Sequence, residues 1–187
     1  MPEISAEQRI DIKNLDVDLN SDKFFRQMIR TIAGTLEDNV GIDEASGFIA
    51  IVGQELGRRI EIEYEKSLNT GQFNKETIAD ILVDLKRRIG GDFSVASVNN
   101  RQIVLTNSCC PFGDEVLRRD SLCMMTSNVF GFIVSNHNGY AAIKLPETIA
   151  RGHGKCRVVI ELKMSDEFTE SEGYREYFNQ SAGKNRA

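Results

Sequence analysis

All four cysteines of this 187-residue chain fall between Cys109 and Cys156. Cys110 opens Cys-Pro-Phe-Gly (110–113), Cys123 lies within Ser-Leu-Cys-Met-Met-Thr (121–126), and Cys156 closes Arg-Gly-His-Gly-Lys-Cys (151–156). Thiolates are nucleophiles and soft metal ligands, and Pro and Gly turns let distant segments meet. Three chemistries are therefore open: a metal staple, a redox centre, or thiols packed as small hydrophobes. The spacing is not that of a zinc finger, since there is no Cys-x-x-Cys and no paired His.

Geometry restricts how these thiols could meet. On one continuous helix Cys110 and Cys123 would lie ~20 Å apart, too far for a single ion with Zn–S bonds of ~2.3 Å. A shared site needs the chain to fold back between 111 and 121, which Pro111 and Gly113 permit. Ser121 reads as an N-cap, placing Cys123 in a first helical turn where N–H groups and the dipole favour a thiolate. Cys156 would arrive at the start of a strand. His153, Asp114 or Cys109 could supply a fourth ligand. The competing reading of His153 is a surface turn residue, and His137, in Asn-His-Asn-Gly, reads as a turn residue.

No catalytic residue is assigned. There is no Gly-x-Gly-x-x-Gly and no Walker loop. A Cys123–His153 nucleophilic pair lacks an orienting third residue.

The elements that must position the thiols follow from periodicity. Residues 1–20 read as a lead-in, and 21–164 as one domain. Asp22 caps a first helix with Phe24, Phe25, Met28, Ile29, Ile32 and Leu36 on one stripe, ended by Gly41. Asp43 caps a second, to about Tyr64, and a third runs from about Lys75 until Gly90-Gly91 stops it. Thereafter the pattern is mostly strands. A hairpin turns at Asn99-Asn100, a helix runs from Ser121 to about Val134, and two strands cover 140–145 and 157–162. Helices first and strands afterwards predict an α+β fold, with the N-terminal helices on one face of an antiparallel sheet. The Glu-, Ser- and Asn-rich residues 165–187 read as a polar tail or linker.

Composition sets the context. Hydrophobic content of 41% and charged content of 27% are those of an ordinary globular protein. A net charge of -5 argues against nucleic-acid binding. The runs Lys86-Arg87-Arg88 and Arg118-Arg119 read as solvated faces. No stretch approaches a membrane span and the first residues are no secretory signal, so a cytoplasmic chain with reduced thiols is expected.

Four stretches carry a resemblance: Leu82–Phe93, Cys110–Gly113, Leu122–Gly131, and Thr148–Gly152 leading into Cys156-Arg157-Val158. Over roughly residues 40–163 the sequence resembles the methanogen output domain family of signalling proteins. More distantly it is similar to the 4-vinyl reductase domain and its relatives among haem-NO-binding-like sensors and vesicle-tethering subunits. The resemblance implies a sensory or regulatory module, often attached to an output domain or acting on a signalling partner. It implies that Cys110, Cys123 and Cys156 form the chemical centre, holding zinc or an iron–sulfur cluster beside an apolar pocket, and that the chain forms a homodimer. The sequence departs from the family pattern at His153, where an acidic residue is usual, and in the extra thiol Cys109. Both leave the fourth ligand open.

The leading expectation is thus a non-catalytic sensor. A thiol- or metal-dependent reductase-like enzyme and a docking dimer with buried thiols are the alternatives. Phe48, Val52, Leu56, Ile81 and Leu85 are the candidate lining of a pocket for a small hydrophobic ligand, or a surface for a second chain.

Overall fold

The computed structural model describes residues 12–179. Helix α1 spans Ser21–Leu68. Its cap is Asn20 rather than Asp22: Asn20 has the extended backbone a cap needs, and its side chain accepts the Lys23 N–H at 2.9 Å. Asp22 instead takes an ion pair with Arg26 one turn on. Gly41 breaks the helix with φ 83°, a conformation open to glycine and strained for other residues. Helical geometry resumes directly, so the two expected helices form one broken rod. Helix α2, Lys75–Arg88, is capped by Asn74, which accepts the Thr77 N–H. The hairpin of β1 (Ser94–Val98) and β2 (Gln102–Asn107) turns on Asn99, whose side chain accepts the N–H groups of Arg101 and Gln102.

Helix α3 runs Asp120–Asn138 and stops at Gly139, which is left-handed at φ 86°. It starts before Ser121, which is buried within it rather than capping it, and it continues past Val134. His137 is therefore in a last helical turn and not in a free turn. Its ring is held inside the fold: Nδ1 accepts the Phe73 N–H, and Nε2 lies 3.0 Å from the Glu61 carboxylate. Strands β3 (Tyr140–Glu147), β4 (Cys156–Glu161) and β5 (Tyr174–Phe178) follow. The last corrects the reading of a tail from 165 as far as residue 179; residues 180–187, like 1–11 of the lead-in, lie outside the described residues. Tyr174–Phe178 pairs with β3 from Tyr140↔Phe178 to Lys144↔Tyr174, and Phe168 is buried against Tyr140 and Ala142. Aromatic residues within a polar segment carry that strand.

The five strands form one antiparallel sheet in the order β1-β2-β4-β3-β5. Leu82 and Leu85 of α2 and Phe130, Ile133 and Val134 of α3 meet Ile103, Leu105, Ile143, Val158 and Ile160 of the sheet in the main core. The α+β class holds, with helices on one face. Helix α1 packs mainly on α3, because Gly53 and Gly57 let it approach Asn128 and Phe132 closely. A Cβ at Gly57 would stand 3.0 Å from the Phe132 ring. A second, smaller cluster of Ala33, Val116, Leu122 and Ala150 has Cys110 and Cys123 packed against it.

Candidate functional site

Three local structures deliver three thiols to one place. Cys110 follows β2 in a loop that Asp92 organises: its carboxylate accepts the N–H groups of Ser108 and Cys109 at 2.8 and 2.7 Å, with the Ser108 hydroxyl as a further donor. These bonds, led by that of the hydroxyl, hold the Asp92 carboxyl below its ordinary range. Cys123 lies in the first turn of α3. Cys156 opens β4 directly across from Asn107, and its sulfur accepts the Ile149 N–H at 3.3 Å.

All three sulfur-bearing residues line a cavity of about 30 Å³, walled also by Phe93, Asn107 and Thr126. That is room for about one water. Asn107 is buried and donates to the Cys109 carbonyl at 2.9 Å, while its Oδ1 has no partner. Lys86 stands beside the thiols, only 4% exposed. Its ammonium donates to Thr126 Oγ1 at 2.8 Å and lies over the rings of Phe130 and Phe93 at 5.2 and 5.7 Å. Burial pushes Lys86 down to about 8, against the pull of the three thiols. Burial likewise pushes Cys123 up to about 12, and raises Cys110 and Cys156 against the N–H groups of Phe112 and Ile149. Left to themselves these are neutral thiols at physiological pH; a thiolate there needs a cation to hold it.

The expected fourth donors are elsewhere. Cys109 is exposed, with its sulfur toward the Gly90 carbonyl, and Asp114 is exposed on the turn Gly113–Val116. His153 is exposed, and its Nδ1 faces back to the Thr148 carbonyl of its own turn. Among the described residues, no group of three or more His, Cys, Asp or Glu is arranged to hold a metal ion. Sulfur is a donor that a thiophilic ion prefers, but the three thiols that share the cavity are not gathered as a ligand set. The expected pocket residues do not come together either. Ile81 and Leu85 lie in the main core, whereas Phe48, Val52 and Leu56 are exposed on α1.

Sequence reasoning missed Lys86, Asn107 and Asp92. The signal for Lys86 was present: it follows Leu82 by four residues, on the buried stripe of α2, not on the solvated face read for 86–88.

Residues 28–161 match the family described as methanogen output domain 1. The chain belongs to that family. No curated protein matches it significantly. Among solved structures, this output domain resembles the phenol-responsive sensory domain of the transcription activator PoxR with phenol. The TM-score is 0.64 at 18% identity, with 79% of each chain covered. It also resembles a trafficking protein particle complex subunit 3 from Naegleria fowleri covalently bound to palmitic acid. There the TM-score is 0.52 at 13% identity, over 76% of this chain and 97% of that one. At such identities the likeness is one of fold. No helix among the described residues is long and apolar enough to cross a membrane.

Proposed function

We propose that this domain is a sensory or regulatory module whose receiving site is the three-thiol cavity, and that it transmits occupancy of that site to a signalling partner. The observation that carries this is the convergence of Cys110, Cys123 and Cys156 on one buried cavity beside Lys86. Membership of an output-domain family supports the reading, as do the two solved structures of like fold, one with phenol and one covalently bound to palmitic acid. Zinc or an iron–sulfur cluster is the group the thiols would hold, through Cys110, Cys123 and Cys156. Bound there, it would supply positive charge that turns neutral thiols into thiolates. Asn107 offers an oxygen without a partner to whatever enters.

Anaerobically purified protein, assayed for metal and by absorption spectrum, tests this reading. One equivalent of metal is expected, colourless if zinc and visibly absorbing if an iron–sulfur cluster. Cys110→Ser, Cys123→Ser and Cys156→Ser should each lose it, whereas Cys109→Ser should retain it. Absence of both metals, together with Cys110, Cys123 and Cys156 unreactive in the native state, would leave the docking-dimer reading in its place.

A second reading concerns the partner. Phe24, Phe25, Met28, Ile29 and Ile32 are all exposed on α1 before Gly41, and Phe48, Ile51 and Val52 are exposed beyond it. Together they offer on the order of 900 Å² per copy, what a stable dimer buries on each partner. A second copy of this chain is the occupant we assign to that surface.

A further inference from the structure

Cys123 faces two cavities. Besides the thiol cavity it lines an open cleft of about 550 Å³, bounded by the first turns of α3, by β3 and by the segment Glu170–Arg175 that leads into β5. That volume is in the range of small-molecule sites. We infer that this cleft is a binding site for a small organic anion with an apolar body, an aromatic or short-chain carboxylate.

The charge arrangement motivates the assignment. Arg175 lines the cleft with a guanidinium whose recorded partner is the Met124 sulfur at 3.5 Å, a weak acceptor, and no carboxylate lies within ion-pair distance of it among the described residues. Arg151, also on the wall, is committed to Asp120 at 3.2 Å. Lys144 adds positive charge from the rim, where its ammonium lies over the Tyr174 ring at 4.9 Å. Glu170 and Glu172 line the cleft as well, and neither pairs with Arg175 or Lys144. A forked donor with several unused N–H groups beside Met124, Leu145 and Pro146 is complementary to a carboxylate carried on an apolar body. A ligand there would touch Cys123 from the side opposite the thiol cavity. The inference deepens the sensory reading by naming a ligand class, and rests on it only for the consequence of binding.

Calorimetric titration of the full chain with benzoate, phenylacetate and hexanoate, against benzamide and benzyl alcohol, tests the inference. The carboxylates should bind and raise the unfolding temperature, and the neutral analogues should not. Arg175→Met should weaken binding at least roughly tenfold, while Arg88→Met, outside the cleft, should leave it unchanged. Should Arg175→Met fail to fold, Pro146→Glu, which sets a carboxylate at an exposed position of the cleft wall, must abolish the same binding. No carboxylate binding up to about 10 mM, equal binding of benzamide, or indifference to the variants would overturn the assignment. Carboxylate binding by native protein that holds neither zinc nor an iron–sulfur cluster would overturn only the thiol-cavity reading.

Discussion

An ammonium with one hydroxyl acceptor, two ring faces and no carboxylate partner among the described residues makes Lys86 the most exacting residue of the fold. Its folded pKa of about 8 lies below the ordinary 10.5. Between those values the unfolded chain binds more protons than the folded one, so this residue's penalty is full below pH 8 and is relieved as pH rises toward 10.5. Thiols raised by burial act in the opposite sense above pH 9, which is why a variant is the cleaner probe. Lys86→Met should be more stable than the native chain at pH 7, and that advantage should shrink by on the order of 3 kcal/mol by pH 10.5. Urea unfolding at a series of pH values measures this; an advantage independent of pH would show that the fold does not lower the Lys86 pKa. The three thiols of the site were legible because Pro, Gly and a helix start surround them. Of the partners around them, Lys86 was legible from its place on the buried stripe of α2 but was masked by the neighbouring Arg87 and Arg88, whereas an asparagine at a strand end has no local signature separating burial from exposure.

Close approach of the helices governs the next level up. Gly131 of α3 faces the ring of Tyr177 on β5, and a Cβ there would fall well inside contact distance. The Tyr177 hydroxyl is hydrogen-bonded to Ser127 Oγ at 2.9 Å and to Asn128 Oδ1 at 3.0 Å, so the ring cannot shift without breaking both bonds. Gly131→Ala should cost about 1–3 kcal/mol, and should cost much less in a Tyr177→Ala background, where the obstruction is gone. A double-mutant cycle by denaturant unfolding decides this, and additive costs would show that the contact is loose. At this scale the helices and the hairpin were readable from periodicity, capping Asn and stopping Gly residues. Strand β5 was not, because Glu, Arg and Asn surround its three aromatics and its burial comes from β3 and α3. The exposed Phe48, Val52 and Leu56 misled for a related reason: an apolar stripe declares that it needs cover, not what covers it.

For the whole molecule, the apolar surface of α1 is the largest unfinished feature. If a second copy covers it, Ile32→Glu, at a position 60% exposed and away from the core, should turn a dimer into a folded monomer. Light scattering across a range of concentrations, with circular dichroism to confirm folding, reads the outcome; a native chain that is monomeric throughout removes the dimer. The order β1-β2-β4-β3-β5 has another consequence, for where the chain can be cut. The family match ends at 161, before β5 begins at Tyr174. A polypeptide trimmed to that boundary would keep four strands but bare the outer edge of β3 along Tyr-Ala-Ala-Ile-Lys, 140–144. A flat apolar edge of that kind recruits strands from other molecules. Trimmed after Leu162, the protein should be recovered as aggregate, and ending it at Asn179 should restore solubility: in this sheet the final strand also serves as the guard against self-association.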